Sequence, residues 1–336
     1  MLSRTAENIY WSSRYLERAD FQARILDACI RLSALPANYA GRGSAWDGAI
    51  ASTGGIQLFR TLYDRVDERT VRDFIAFNTA NPSSISNCLT TARNNARAVR
   101  TALTSEMWEV INDAWLELKE GTGRDMDRDA FSRFISWVKN VAQSFEGAAH
   151  RTMLRNDAYY FTRIGGSIER ADNTARILDV KYHLLLPPSE AVGGGLDYFQ
   201  WSAILREVSA LTAYHWVYRE SIKPWLVADL LILNRQMPRS LTSCYEVLTQ
   251  YLDLLEDRYG QSGAAQPVAR ETLAELRGQQ IERLFQEGLH EFITAFIGRN
   301  NKLGDSIAQE YLITQAPAHP APSAPAELVR DAAHDA

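Results

Sequence analysis

Tyr15 to Asp27 reads YLERADFQARILD, and 152 positions later Ser167 to Asp179 reads SIERADNTARILD; nine of the thirteen positions are identical. Self-similarity at a fixed spacing marks a repeat architecture, and it decides the fold before local propensity is weighed. Extended backwards, the spacing sets Met1-Leu2 on Met153-Leu154 and Ala6 on Ala158; extended forwards, it sets Leu32 on Leu184 and Pro36 on Pro188. The offset then drifts to 155, where Trp46 meets Trp201 and Tyr63 meets Tyr218. It settles at 156, where VRDFIAFN (Val71 to Asn78) meets VADLLILN (Val227 to Asn234), and Pro82, Ser84 and Cys88 meet Pro238, Ser240 and Cys244. A drift of a few residues is what loop insertions between packed elements produce.

Nearly every long segment has helical spacing and strong helix formers, and no convincing alternating strand is found. The expected fold class is all-α, an internally duplicated helical bundle with pseudo-two-fold symmetry. Its units are 1–152 and 153–314, followed by 315–336, an Ala/Pro-rich tail with too little apolar surface to order itself. The repeat reaches back to Met1, so the first unit is expected to open the chain. Helices are expected over 4–34, 44–66, 67–78, 82–104, 106–119, 128–152, 157–186, 196–221, 223–235, 239–258, 265–298 and 300–313. Breaks fall at Pro36, Gly41 to Gly43, Pro82, Gly121 to Gly123, Pro187-Pro188, Gly193 to Gly195, Pro238 and Gly260. Thr5 and Asp157, aligned by the repeat, are expected N-caps.

The chain has 336 residues, 46% apolar and 23% charged, which is ample material for a large core. A net charge of −5 gives no basic face for nucleic acid. No charged-then-apolar leader opens the sequence. The longest apolar run, Trp225 to Leu233, contains Asp229 and is too short to span a bilayer. Cys29, Cys88 and Cys244 form no CxxC pair and read as small buried hydrophobes, which points to a reduced, cytoplasmic protein.

At about 100° per residue, Glu17, Asp20, Arg24 and Asp27 share one stripe roughly 80° wide, opposite an apolar stripe of Leu16, Ala19, Ala23, Leu26 and Ile30. The second copy repeats both faces: Glu169, Asp172, Arg176 and Asp179 against Ile168, Ala171, Ala175 and Leu178. Arg18 and Arg170 project from a third side. Small residues at Ala19, Ala23, Ala171 and Ala175 let another helix approach closely.

Three readings of the stripe stand side by side. It is a solvated face with i,i+4 pairs such as Asp20–Arg24, each worth about 0.2–0.5 kcal/mol. Or it is a buried ion network between units, with Arg24 reaching Glu169 and Arg176 reaching Glu17; removing one partner then costs about 3–5 kcal/mol. Or it is a ligand, metal or catalytic site. Glu17, Asp20, Glu169 and Asp172 supply enough carboxylates for a divalent cation, but no histidine stands beside them, and no metal or other cofactor is expected.

Other signals carry less. Asp125, Asp127 and Asp129 alternate like the start of a calcium loop, but Ala130 and Ser136 stand where Gly and Glu are required, so an acid-rich helix start is expected instead. The triple glycine ending at Gly195 is followed by no Lys-Ser/Thr and is not a phosphate loop. His150, His183, His215 and His290 are scattered and read as structural. Trp46, Trp108, Trp115, Trp137, Trp201, Trp216 and Trp225 read as core, while Trp11 is placed to line a pocket beside the first stripe.

LSRTAENIYWSSRYLERADFQARILD (Leu2 to Asp27), joined to IGGSIERADNTARILD (Ile164 to Asp179) and SEMWEVIN (Ser105 to Asn112), resembles the bacterial alpha-E family from residue 1 to about 312. That family is all-helical, is named for helices with glutamates, and is usually encoded beside a circularly permuted ATP-grasp protein and a transglutaminase-like cysteine peptidase. The resemblance implies ATP-driven amide-bond formation on a peptide or small metabolite by those neighbours. Carried over by position, the family pattern falls on Glu17, Arg18, Asp20, Arg24 and Asp27, and again on Glu169, Arg170, Asp172, Arg176 and Asp179. The chain departs from it at Ser12-Ser13, where Met-Gly or Leu-Gly is expected, and at Phe21-Gln22 against Asn173-Thr174 of the second copy.

Two functions follow as expectations. The first is an accessory or interaction component of an ATP-grasp ligation system, with the ATP-grasp protein and the peptidase as partners and the arginines and aspartates of the stripe as ligand contacts. The second is an enzyme of the same pathway, with Glu17 or Glu169 as general base and Arg24 or Arg176 holding a carboxylate or phosphate.

Overall fold

The computed structural model describes residues 1–33, 45–121, 126–183, 195–260 and 262–312, and it is all-helical, with no strand among them. The breaks expected at Pro36, Gly41 to Gly43, Pro187-Pro188 and Gly193-Gly194, the acid Asp125 and the tail from 315 lie outside the described residues.

The long helix α1 (Ser3–Ser33) leads into α2 (Ala45–Ser52), α3 (Ile56–Leu62) and α4 (Glu68–Arg72), which continues as a π-helical turn at Asp73–Phe77. Then come α5 (Ile85–Ala98), a 3-10 turn at Arg100–Ala102, α6 (Ser105–Gly121) and α7 (Arg128–Thr152). The second long helix, α8 (Asp157–His183), precedes α9 (Gly195–Glu207), α10 (Leu211–Tyr218) and α11 (Pro224–Ile232). The chain closes with α12 (Leu241–Tyr259), α13 (Ala265–Gly278), α14 (Ile281–Glu287) and α15 (Leu289–Tyr311).

Several expected helices are interrupted, each for a local reason. The span 44–66 breaks at Gly54, whose φ of 68° lies in the left-handed region that glycine adopts without strain. The span 196–221 breaks at Ser209, φ 56°, and 265–298 breaks at Gln279-Gln280 and at Gly288, φ 107°. Matched loop chemistry recurs: Ser84 and Ser240 accept the amides of Asn87 and Ser243, capping α5 and α12. Asp127 caps α7 through the Ala130 amide. The expected caps Thr5 and Asp157 fall inside α1 and at the first residue of α8; Asn156 receives the Ala158 amide instead, and Asp157 takes the terminal ammonium of Met1 at 3.1 Å.

α1 and α8 form the centre. α1 is flanked by α5 and α7, α8 by α12 and α15, and the two long helices lie against each other. Their contacts advance together along both chains: Tyr10 meets Gly165, Arg14 and Arg18 meet Glu169, and Glu17 meets Arg170. The helices therefore run parallel. Gly165 is required at this crossing, because a Cβ there would collide with the carbonyl oxygen of Tyr10. Ala19, Ala23, Ala171 and Ala175 are all buried, as their size suggested. Trp46 and Trp201 are buried as expected, but Trp216 and Trp225 are not core: 78% and 45% of their surfaces are exposed.

Candidate functional site

The charged stripes do not face water. Glu17, Arg18, Asp20 and Arg24 of α1 and Glu169, Asp172, Arg176 and Asp179 of α8 are buried, which removes the solvated-face reading. Such charges are tolerated inside a protein only when paired and hydrogen-bonded. The pairing is reciprocal. Arg18 grips Glu169 with Nε and Nη2 at 2.6 and 3.1 Å, and Arg170 grips Glu17 with Nη2 and Nε at 2.7 and 3.1 Å. Both are forked guanidinium–carboxylate contacts, the geometry that gives arginine its advantage over lysine.

This corrects the expected partners. Arg24 does not reach Glu169, and Arg176 does not reach Glu17; each pairs one turn back within its own helix, with Asp20 and Asp172 at 2.7 Å. Arg18 and Arg170, read as pointing to a third side, make the crossing bonds because the parallel contact places that side against the neighbouring helix.

Residues outside the repeated sentence complete each cluster. Arg14, stacked on Trp11 with 4.7 Å to the ring centroid, donates to Glu169 at 2.8 Å. Arg239, beside the α12 cap, bridges Glu17 at 2.8 Å and Asp20 at 2.7 Å. Glu146 of α7 receives Arg170 at 3.0 Å and Arg163 at 2.7 Å. Arg14 could have been found from its place one turn before Arg18; Glu146 carried no signal in the sequence.

Burial alone would raise both glutamates, but the arginines outweigh it: Arg170 and Arg239 hold Glu17 down at about 2, and Arg18 and Arg14 hold Glu169 at about 2. Neither is suited to take a proton at neutral pH. Cys88 lies beside the Arg18–Glu169 pair and Cys244 beside Arg170–Glu17; burial pushes both thiols up to about 12.

The terminal aspartates of the stripe stand apart from the clasp. Asp27 pairs with Lys139 at 3.0 Å and Arg31 at 3.2 Å, and Asp179 with Nδ1 of His290 at 2.6 Å. Arg24 does further work: its Nη1 donates to Ser209 Oγ at 2.7 Å and to the Glu207 carbonyl at 3.3 Å, fixing the end of α9. Among the described residues no three His, Cys, Asp or Glu side chains gather in a way that would hold a metal ion.

No helix of the described residues is long and apolar enough to cross a membrane. No curated protein and no solved structure matches the chain. A family model, Alpha-E, described as a predicted alpha-helical domain with a conserved ER motif, matches residues 1–312. The two reciprocal Glu-Arg pairs, Glu17-Arg18 and Glu169-Arg170, both lie within that span, and the chain belongs to the Alpha-E family.

Proposed function

We propose that this chain is an accessory component of an ATP-grasp peptide- or amide-ligation system, in which its Glu-Arg pairs act as an internal clasp rather than a reaction centre. The supporting observation is that both motif glutamates are buried, ionised and each held by two arginines. Charges spent on one another offer nothing to a substrate, so a partner or its peptide would be met by other surfaces, where Trp216 and Trp225 are exposed. The reciprocal pairs, with the repeated sequence, also support a body made of two copies of one unit about an approximate two-fold axis, 1–152 and 153–314. The partners expected are the ATP-grasp protein and the transglutaminase-like peptidase.

Two measurements test this. Affinity capture of the tagged chain from native lysate should recover the ATP-grasp protein; its absence overturns the accessory role. Glu169→Gln should lower stability. If instead the variant keeps wild-type stability and partner association yet yields no pathway product, the glutamate is catalytic and the enzyme reading replaces this one.

A further inference from the structure

Away from the clasp, α1, α2, α8 and α9 line a partly open cavity of about 50 Å³. On the measure by which one water needs roughly 10–15 Å³, it has room for several non-hydrogen atoms. Its walls come from matched places in the sequence repeat: Ile25 with Ile177, Gly48 with Ala203, Ala49 with Ile204. Two further matches break the apolar pattern, Ala45 with Gln200 and Ser52 with Glu207. Ser52 spends its proton on its own helix, at Gly48 and Ala49 carbonyls. The Glu207 carboxyl makes no hydrogen bond or ion pair among the described residues, although its backbone is clamped by Arg24. Glu207 is half-buried, and the wall around it is apolar but for Ser52 and Gln200, so its carboxyl is open to a donor brought by a ligand.

The charges around it favour a cation. From α1, Asp27 lies near enough to add to the rise that burial imposes on Glu207, which is pushed up to about 8. Asp27 itself is held by Lys139 of α7 and by Arg31. Arg24 is committed to Asp20, and the Cys29 thiol, which donates to the Ala45 carbonyl, is kept neutral by burial. On α8, Asp179 is committed to His290.

We propose that this cavity binds a primary alkylammonium group, of the kind carried by a lysine side chain or a free aliphatic amine, with its methylenes between Ile25 and Ile177 and its nitrogen on Glu207. An ammonium supplies the missing donor, and its charge makes ionisation of Glu207 favourable where burial had opposed it. The proposal stands independently of the ligation-system reading, because it needs no partner protein.

The test is calorimetric titration of the full chain with n-butylamine. Binding should release close to one proton at pH 7, and affinity should rise nearly tenfold per unit between about pH 6 and 7.5, where the amine stays charged and Glu207 is losing its proton. Glu207→Gln should weaken binding by about tenfold or more and abolish proton release. Ala203→Leu, which fills the cavity and leaves the carboxyl in place, should abolish binding while the fold, followed by circular dichroism, is retained. Tighter binding of Nα-acetyl-lysine amide than of n-butylamine would assign the site to a peptide-borne amine, the reverse order to a free one. No saturable binding, binding without proton release, or binding that survives Ala203→Leu would overturn the proposal.

Discussion

Glu17 and Glu169 hold the same place in the repeated sentence, yet each draws its second arginine from a different part of the chain. For Glu169 it is Arg14, one turn away on α1; for Glu17 it is Arg239, from the loop before α12. The position matching Arg14 in the second copy is Gly166, and the position matching Arg239 in the first is Ser83. A Cβ at Gly166 would meet nothing within 4 Å, and that residue lines a small cavity of about 40 Å³ beside Glu17 and Arg170. The Ser83 hydroxyl accepts from Arg18, at 3.5 Å. Each cluster thus leaves vacant the place its counterpart fills. Two guanidiniums per buried carboxylate are kept, and their source is interchangeable, because what burial demands is compensation of charge rather than a particular donor.

The largest expected effect exploits an inequality between the clusters. Glu169→Ala leaves Arg14 and Arg18 with no other ion-paired carboxylate among the described residues and should cost about 3–5 kcal/mol in urea unfolding. Glu17→Ala should cost less, since Arg170 keeps Glu146 and Arg239 keeps Asp20. Equal losses would break the comparison.

Acid should act on both clusters together. Both glutamates have folded values depressed to about 2 from an ordinary 4.5, so their contribution is fully present above about pH 4.5 and lost as pH falls from there towards 2. Urea midpoints measured from pH 6 downward should drop in that window, and the Glu169→Ala variant should drop less. A variant that falls as steeply as wild type counts against the assignment.

The adjacent glycines of α8 sharpen the contrast further. Gly165→Ala forces a Cβ into the Tyr10 carbonyl and should lose about 1–3 kcal/mol by thermal or urea unfolding. Glu207 behaves oppositely to the clasp: its raised value means stability is fullest below about pH 4.5 and declines as pH rises towards 8, so Glu207→Gln should flatten that decline in unfolding midpoints. The smallest effect is at Gly166→Ala, which gains helix propensity in open space and should stabilise by about 0.5–1 kcal/mol.

The repeated sentence made α1 and α8, and the burial of their alanines, legible from the residues alone. It did not make the partners legible. Glu17 and Arg18 lie about 100° apart on one helix, so which of Arg18 and Arg24 meets the neighbour depends on the direction and rotation of the crossing, and a helical wheel contains neither. Arg14, Glu146 and Arg239 complete the clusters from outside the repeated stretch, where no second copy points to them. The missed helix breaks have a similar cause. Ser209 adopts a left-handed backbone while its hydroxyl is held by Arg24, a tertiary contact that overrides local preference. The exposed Trp216 and Trp225 mislead because amphipathic spacing says which face an aromatic shares and not whether that face is covered.

The crossed clasp also orders events in time. Its bonds join positions more than 150 residues apart, so Glu17 and Arg18 leave the ribosome long before Arg170 and Glu169 exist. At about 5–20 residues per second the wait is roughly 8–30 s. Through that interval α5 and α7 are already made and can flank α1, but Glu17 and Arg18 still lack their α8 partners. Closure of the whole molecule is thereby deferred to the second half of synthesis.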